Sequence, residues 1–180
     1  VLKDPRLCLL LSPLCSAWMG GEVDVDYLLM LRSPFEVIAS LTAIHPVRPL
    51  DALCLWIASV LHSERQTRHL PRRLISFPDL LQKPQDVLSR CRNFLGASVD
   101  PINNDPVLTM IDVSLHRQKA LQVREQVLAE SPQLEQLLDF ADLVHDAVMH
   151  VDQPNGMEQL DGLNQVWSWK RSELLHSDGG

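Results

Sequence analysis

Apolar positions along the chain fall into runs of two kinds. Residues 27–31, Tyr-Leu-Leu-Met-Leu, are an unbroken apolar stretch of strand length, the pattern of a strand buried in a parallel sheet. The period changes directly after Arg32-Ser33. Phe35, Ile38, Leu41 and Thr42 recur at helical spacing, so residues 34–44 read as a helix that Pro46 stops. Leu50, Leu53, Cys54, Ile57, Val60 and Leu61 form a stripe of period 3.6, which predicts a helix over 50–68, ended by Pro71. Residues 73–77, "RLISF", read as a short strand and 78–81 as a helical turn. Pro84 then opens a helix through Leu95 with Val87, Leu88, Cys91 and Phe94 on one face, and Gly96 is placed as its C-terminal cap.

Upstream, residues 1–3 look like a strand end, Pro5 opens a short helix to Leu11, and Gly20-Gly21 marks a loop. Strand, helix, helix, strand, helix is an α/β order with crossover connections. "GASVDPINNDP" (96–106) is loop-like and divides the chain into an α/β part, 1–96, and a helical C-terminal region, 97–180, of the same domain or appended to it. In that region a helix starting at Asp112 or Ser114 is expected to reach Ala129. Another starts at Ser131-Pro132, with Leu134, Leu137, Leu138, Ala141, Val144 and Val148 on its apolar face. After a turn at 152–156, a last amphipathic segment, 157–175, carries Trp167 and Trp169.

Composition narrows the functional classes. The chain has 180 residues and a formal net charge of -7, spread unevenly. Residues 32–92 hold nine Lys/Arg against five Asp/Glu, whereas 97–180 hold five against fourteen. Nucleic acid is not the expected partner of such an acidic chain, and a locally basic segment suits a small anionic ligand better. No apolar run reaches membrane-spanning length, and no signal peptide is visible, so no membrane association is expected. Cys8, Cys15, Cys54 and Cys91 have no redox or metal-ligand spacing; as reduced core residues they point to a cytoplasmic setting. His45, His62, His69 and His116 lack a consistent partner spacing, and no metal site is expected. Glu64 and Arg68, four apart on a helix, are expected to form a solvated ion pair. A start at Val1, directly on an apolar segment, reads as that of a fragment.

Candidate chemistry concentrates where the first strand meets its helix. A helix start exposes unpaired N–H groups and a positive dipole end, which together favour an anion such as phosphate. Ser33 suits the N-cap and Pro34 the first helical position. Arg32 adds a planar fork of donors at the strand's C-terminal end, the edge where open α/β sheets bind ligands. Ser40, eight residues further on, can add a hydroxyl.

"YLLMLRSPFEVIAS" (27–40) resembles the 3′-phosphate-binding segment of sulfotransferases, in which a strand ends in Arg and a Ser eight residues later completes the contact. "LKDPRLCLLL" (2–11) looks like the Lys-Asp-Pro strand end of tyrosylprotein and related bacterial sulfotransferases. "LWIASVLHSERQTRHLPRRLISFPDLLQKPQDVLSRCRNFLG" (55–96) looks like the bacterial family's long helix, strand and following tail. "IDVSLHR" (111–117) is a vaguer match to its C-terminal region. The resemblance implies the C-terminal half of a parallel-sheet, P-loop-like sulfotransferase fold with a helical C-terminal region. It implies 3′-phosphoadenosine 5′-phosphosulfate as cofactor, bound through Arg32 and Ser40, and Lys3 as the catalytic residue that stabilises transition-state charge. Asp4 and Arg6 are second choices, orienting Lys3 and facing substrate. The implied reaction moves a sulfuryl group to a hydroxyl of a small molecule, glycan or peptide.

The chain departs from the family in places. The family's Gly/Ser/Thr-rich loop for the 5′-phosphosulfate is absent and would lie before Val1. Relatives carry Tyr-Glu-Asp-Leu where this chain has Phe77-Pro78-Asp79-Leu80, so a nucleotide contact at Phe77 is in question. No general base stands out, and oligomeric state is not legible. Two other classes fit the same pattern: a non-catalytic binding protein of the same fold, and another P-loop transferase such as a nucleotide kinase.

Overall fold

Strands β1 (Tyr27–Leu31) and β2 (Arg72–Ser76) pair in parallel in the computed structural model, which describes residue 2 and residues 7–11, 24–96 and 120–177. The register runs from Tyr27↔Arg72 to Leu31↔Ser76. Parallel neighbours need a crossover, supplied here by α1 (Pro34–Ile44) and α2 (Pro49–Thr67). Alternation along the strands puts Leu29 and Leu31 on one face with Leu74, and Leu28 and Met30 on the other with Ile75. The first face is closed by α1 and α2 into a core holding Leu31, Phe35, Leu53 and Ile57. The second is closed only over β2, where Ile75 is buried; over β1, Leu28 and Met30 are 42% and 50% exposed. The apolar run expected to be buried on both faces is therefore buried on one.

The helices start where the sequence marks them. Pro34, Pro49 and Pro84 each occupy a first helical position, where a missing N–H costs nothing. Ser33 is the N-cap of α1, as expected, but its hydroxyl makes no capping hydrogen bond. Ser76 is a more conventional cap: its Oγ accepts from the Asp79 N–H at 3.4 Å and opens α3 (Phe77–Gln82). Helix α4 (Pro84–Phe94) ends at Gly96, whose φ of +62 is the left-handed conformation that a helix C-terminus needs.

The C-terminal helices are α5 (Ala120–Glu130), a 3-10 turn at Pro132–Leu134, α6 (Glu135–Met149) and α7 (Gly156–Ser177). Asn155, with φ of +67, and Gly156 turn the chain from α6 into α7. A Cβ at Gly156 would sit 2.6 Å from the Val151 carbonyl oxygen, so that approach requires glycine. Leu138, Ala141 and Val144 of α6 join Ile38, Leu53 and Ile57 of the crossover helices in one continuous apolar cluster. Trp167 closes it by stacking on Phe140 at 6.2 Å, while Trp169 is 72% exposed. Most described residues are thus helical, around a small parallel sheet of two strands. No described helix is long and apolar enough to cross a membrane.

Candidate functional site

Arg32 is the first residue after β1, and three contacts fix it. Its carbonyl accepts a hydrogen bond from Trp56 Nε1 at 3.2 Å, tying the strand end to α2. Trp56 in turn stacks against His145 of α6, with ring centroids 6.4 Å apart. The Arg32 Nε donates to Glu36 Oε2 at 2.8 Å. The guanidinium also lies over the Phe77 ring, 4.5 Å from its centroid, a cation–π contact that reaches from the end of β1 to the start of α3. Glu36 is buried, and Arg32 retains 25% side-chain exposure. A buried carboxylate needs such a partner, because an unpaired charge in the core is costly.

Arg32, Glu36 and Ser40 are spaced four apart, so they follow one another along one side of the helix start. The Ser40 hydroxyl, half-buried, has no hydrogen bond among the described residues. The outer N–H groups of Arg32 are likewise uncommitted among the described residues, since its one ionic bond uses Nε. The Glu36 carboxylate orients the arginine and also offsets its charge. The sequence singled out Arg32 and Ser40, raised Phe77 only as a questionable nucleotide contact beside no named partner, and did not point to Glu36 or Trp56. The i,i+4 spacing of Arg32 and Glu36 was a signal for Glu36; Phe77 and Trp56 are 45 and 24 residues away. Lys3, with Asp4 and Arg6, lies outside the described residues.

Arg32 also lines a cavity of about 820 Å³ along β1, bounded by Tyr27, Leu29, Trp56 and Glu64 among others. Ser40 does not line it. Asp24 and Asp26 do, so the cavity carries more carboxylates than guanidinium groups. An anionic ligand would meet favourable charge there only at the Arg32 end.

Glu64 corrects a sequence expectation. It is 2% exposed rather than solvated, and it binds two arginines. Arg68 grips it with two bonds, Nε to Oε1 at 3.0 Å and Nη2 to Oε2 at 2.8 Å. Arg72 adds Nη2 to Oε1 at 3.2 Å and donates through Nη1 to the Glu64 carbonyl at 2.8 Å. Arg68 Nη1 reaches Asp161 of α7 at 2.7 Å. Hydrogen bonding to Glu64, ahead of that to Asp161, holds Arg68 protonated well beyond the usual arginine range. Helical spacing showed the Glu64–Arg68 pair but not its depth, because burial is set by α7 and β2 arriving from elsewhere in the chain. Among the described residues no group of three or more His, Cys, Asp or Glu could hold a metal ion.

No protein-family model matches the chain, and no curated protein matches it. A similar solved structure is the sulfotransferase domain from the curacin biosynthetic pathway. The two are 23% identical with a TM-score of 0.42, over 54% of this chain and 36% of that domain. The chain thus spans about a third of the length of the solved domain that it resembles.

Proposed function

We propose that this chain is part of a sulfotransferase of the 3′-phosphoadenosine 5′-phosphosulfate-dependent class, of the bacterial and tyrosylprotein-like type. In this reading it holds the 3′-phosphate of the donor between the Arg32 guanidinium and the Ser40 hydroxyl. The observation that carries the reading is the state of Arg32. It sits at the C-terminal end of a parallel strand, braced on one edge by Glu36 and on one face by Phe77, with its outer donors uncommitted among the described residues. A fork fixed in that way is suited to a tetrahedral oxyanion. The motifs along 2–96 supply the class of nucleotide, and the α/β crossover between β1 and β2 is compatible with a P-loop-like sheet.

The donor supplies the sulfuryl group, which passes to an acceptor hydroxyl on a carbohydrate or peptide. The chain's own part is to bind and orient. Arg32 and Ser40 would fix the nucleotide end, and Lys3 would place a cation where charge develops on the transferring group. The free Cys54 and Cys91 are compatible with a reducing, cytoplasmic setting.

A second reading is a non-catalytic nucleotide-binding protein of the same fold. Two observations favour it: Glu36 already offsets the Arg32 charge, and the Phe77 face is covered by Arg32 and closed on that side to a base.

Ser40 gives a direct test by calorimetry. Ser40→Ala is expected to weaken adenosine 3′,5′-bisphosphate binding by about tenfold to a hundredfold, the value of one hydrogen bond to a charged group. Adenosine 5′-phosphate binding should not change. Unaltered bisphosphate affinity would remove Ser40 from the site. Turnover with the labelled donor, measured on the full-length gene product, separates the catalytic reading from the non-catalytic one.

A further inference from the structure

A second cavity, of about 310 Å³, runs along β2 and shares only Leu74 with the lining of the cavity at Arg32. All five residues of Arg72–Ser76 line it, with Arg90 and Cys91 of α4. Arg72 is committed to Glu64, but the next arginine is not. Arg73 is exposed and makes no hydrogen bond or ion pair among the described residues. Arg90 donates only within its own helix, from Nε to the Asp86 carbonyl at 3.4 Å. The Ser76 Oγ accepts from the Asp79 N–H, which leaves its own proton to donate. The half-buried Cys91 thiol registers both cations: burial pushes its pKa up, and the Arg73 and Arg90 charges act against that rise. Asp79 and Asp152 also line the cavity, and neither forms an ion pair among the described residues. Their charges make the cavity unsuited to a polyanion but leave it open to one anionic group placed at the arginines.

We propose that Arg73 and Arg90 form a second anion site, separate from Arg32, which takes a single phosphate- or sulfate-type oxyanion with Cys91 at its edge. The site is independent of the sulfotransferase reading. The two arginines supply planar donor forks from different elements, β2 and α4, that line the same cavity. Either a free ion or the terminal group of a monoester satisfies that chemistry.

Cys91 is a built-in reporter. Its alkylation by iodoacetate and by iodoacetamide is followed by peptide mass spectrometry at constant ionic strength set with chloride, with Cys54 as internal control. The arginines should favour the anionic reagent at Cys91, and saturating inorganic phosphate or phenyl phosphate should slow alkylation there by about fivefold, the scale of a close charge contact fully screened by water. Arg73→Gln with Arg90→Gln, at exposed positions, should abolish both the reagent preference and the protection. Protection by phenyl phosphate alone identifies a monoester as the ligand; protection by both compounds identifies an oxyanion site open to the free ion. Absence of protection by either compound, or protection that survives in the double variant, overturns the proposal.

Discussion

Two arginine–carboxylate assemblies flank β1 and β2, and they differ in how completely their donors are used. Around Glu64, one buried carboxylate takes bonds from Arg68 and Arg72, and the remaining Arg68 donor goes to Asp161. The assembly ties α2, the start of β2 and α7 together. Around Arg32, the guanidinium gives one bond, from Nε to the Glu36 carboxylate, and an aromatic ring supports its face, while its outer N–H groups are uncommitted among the described residues. Saturated networks hold a fold together; a braced but unsaturated arginine retains binding capacity. The contrast separates a structural cluster from a candidate site although both contain the same residue types at the same four-residue spacing.

The largest effect is expected at the saturated end. Glu64→Ala leaves Arg68 and Arg72 facing each other without their carboxylate and should cost about 3–5 kcal/mol of stability, measured by urea unfolding. A cost below about 1 kcal/mol would mean that the network is as solvent-screened as a surface pair. At the other assembly, Arg32→Ala removes a charged hydrogen bond from the buried Glu36 and should cost about 1–3 kcal/mol in the same measurement. Phe77→Leu keeps the packing volume but removes the cation–π contact. About 0.5–1 kcal/mol of stability should go with it, and adenosine 3′,5′-bisphosphate should bind a fewfold more weakly. That loss should vanish in an Arg32 variant background, because Phe77 acts through Arg32; an additive loss would instead place Phe77 directly on the ligand.

The smallest effect is expected at Asp142, outside both assemblies. Burial raises its pKa above the ordinary aspartate range, and Arg124 opposes that rise without cancelling it. A carboxyl with a raised folded-state pKa costs stability while it is ionised, and that cost disappears as pH falls through the folded value toward the unfolded one. Asp142→Asn should therefore be more stable than wild type at pH 7, by a few tenths of a kcal/mol, and the advantage should shrink on acidification. An advantage that grows at low pH would reverse the sign.

Much of this organisation was legible in the sequence, for physical reasons. Prolines at first helical positions and the 3.6-residue stripes placed α1, α2 and α4 to within a residue or two. Gly96 was legible as a cap because a left-handed residue is needed there. The strand end at Arg32 was legible because the hydrophobic period changes abruptly at that point. What could not be read is what long-range packing decides. The depth of Glu64 depends on α7, 93 residues away in the case of the Arg68–Asp161 bond. The exposure of Leu28 and Met30 depends on which surface lies against β1, which an apolar run does not specify. The bracing of Arg32 by Phe77 joins the ends of two strands that only the crossover brings side by side.

The 3′-phosphate preference itself can be tested without stranding Glu36. In Arg32→Gln with Glu36→Gln the two amides can retain one hydrogen bond and carry no charge, so the helix start should keep its packing. Titrating wild type and this double variant with adenosine 3′,5′-bisphosphate and adenosine 5′-phosphate isolates the contribution of the 3′-phosphate. Wild type is expected to bind the bisphosphate at least about tenfold more tightly, and the double variant to bind both alike. A double variant that keeps the preference, or a wild type that never shows one, would contradict the assignment of Arg32 to the donor's 3′-phosphate.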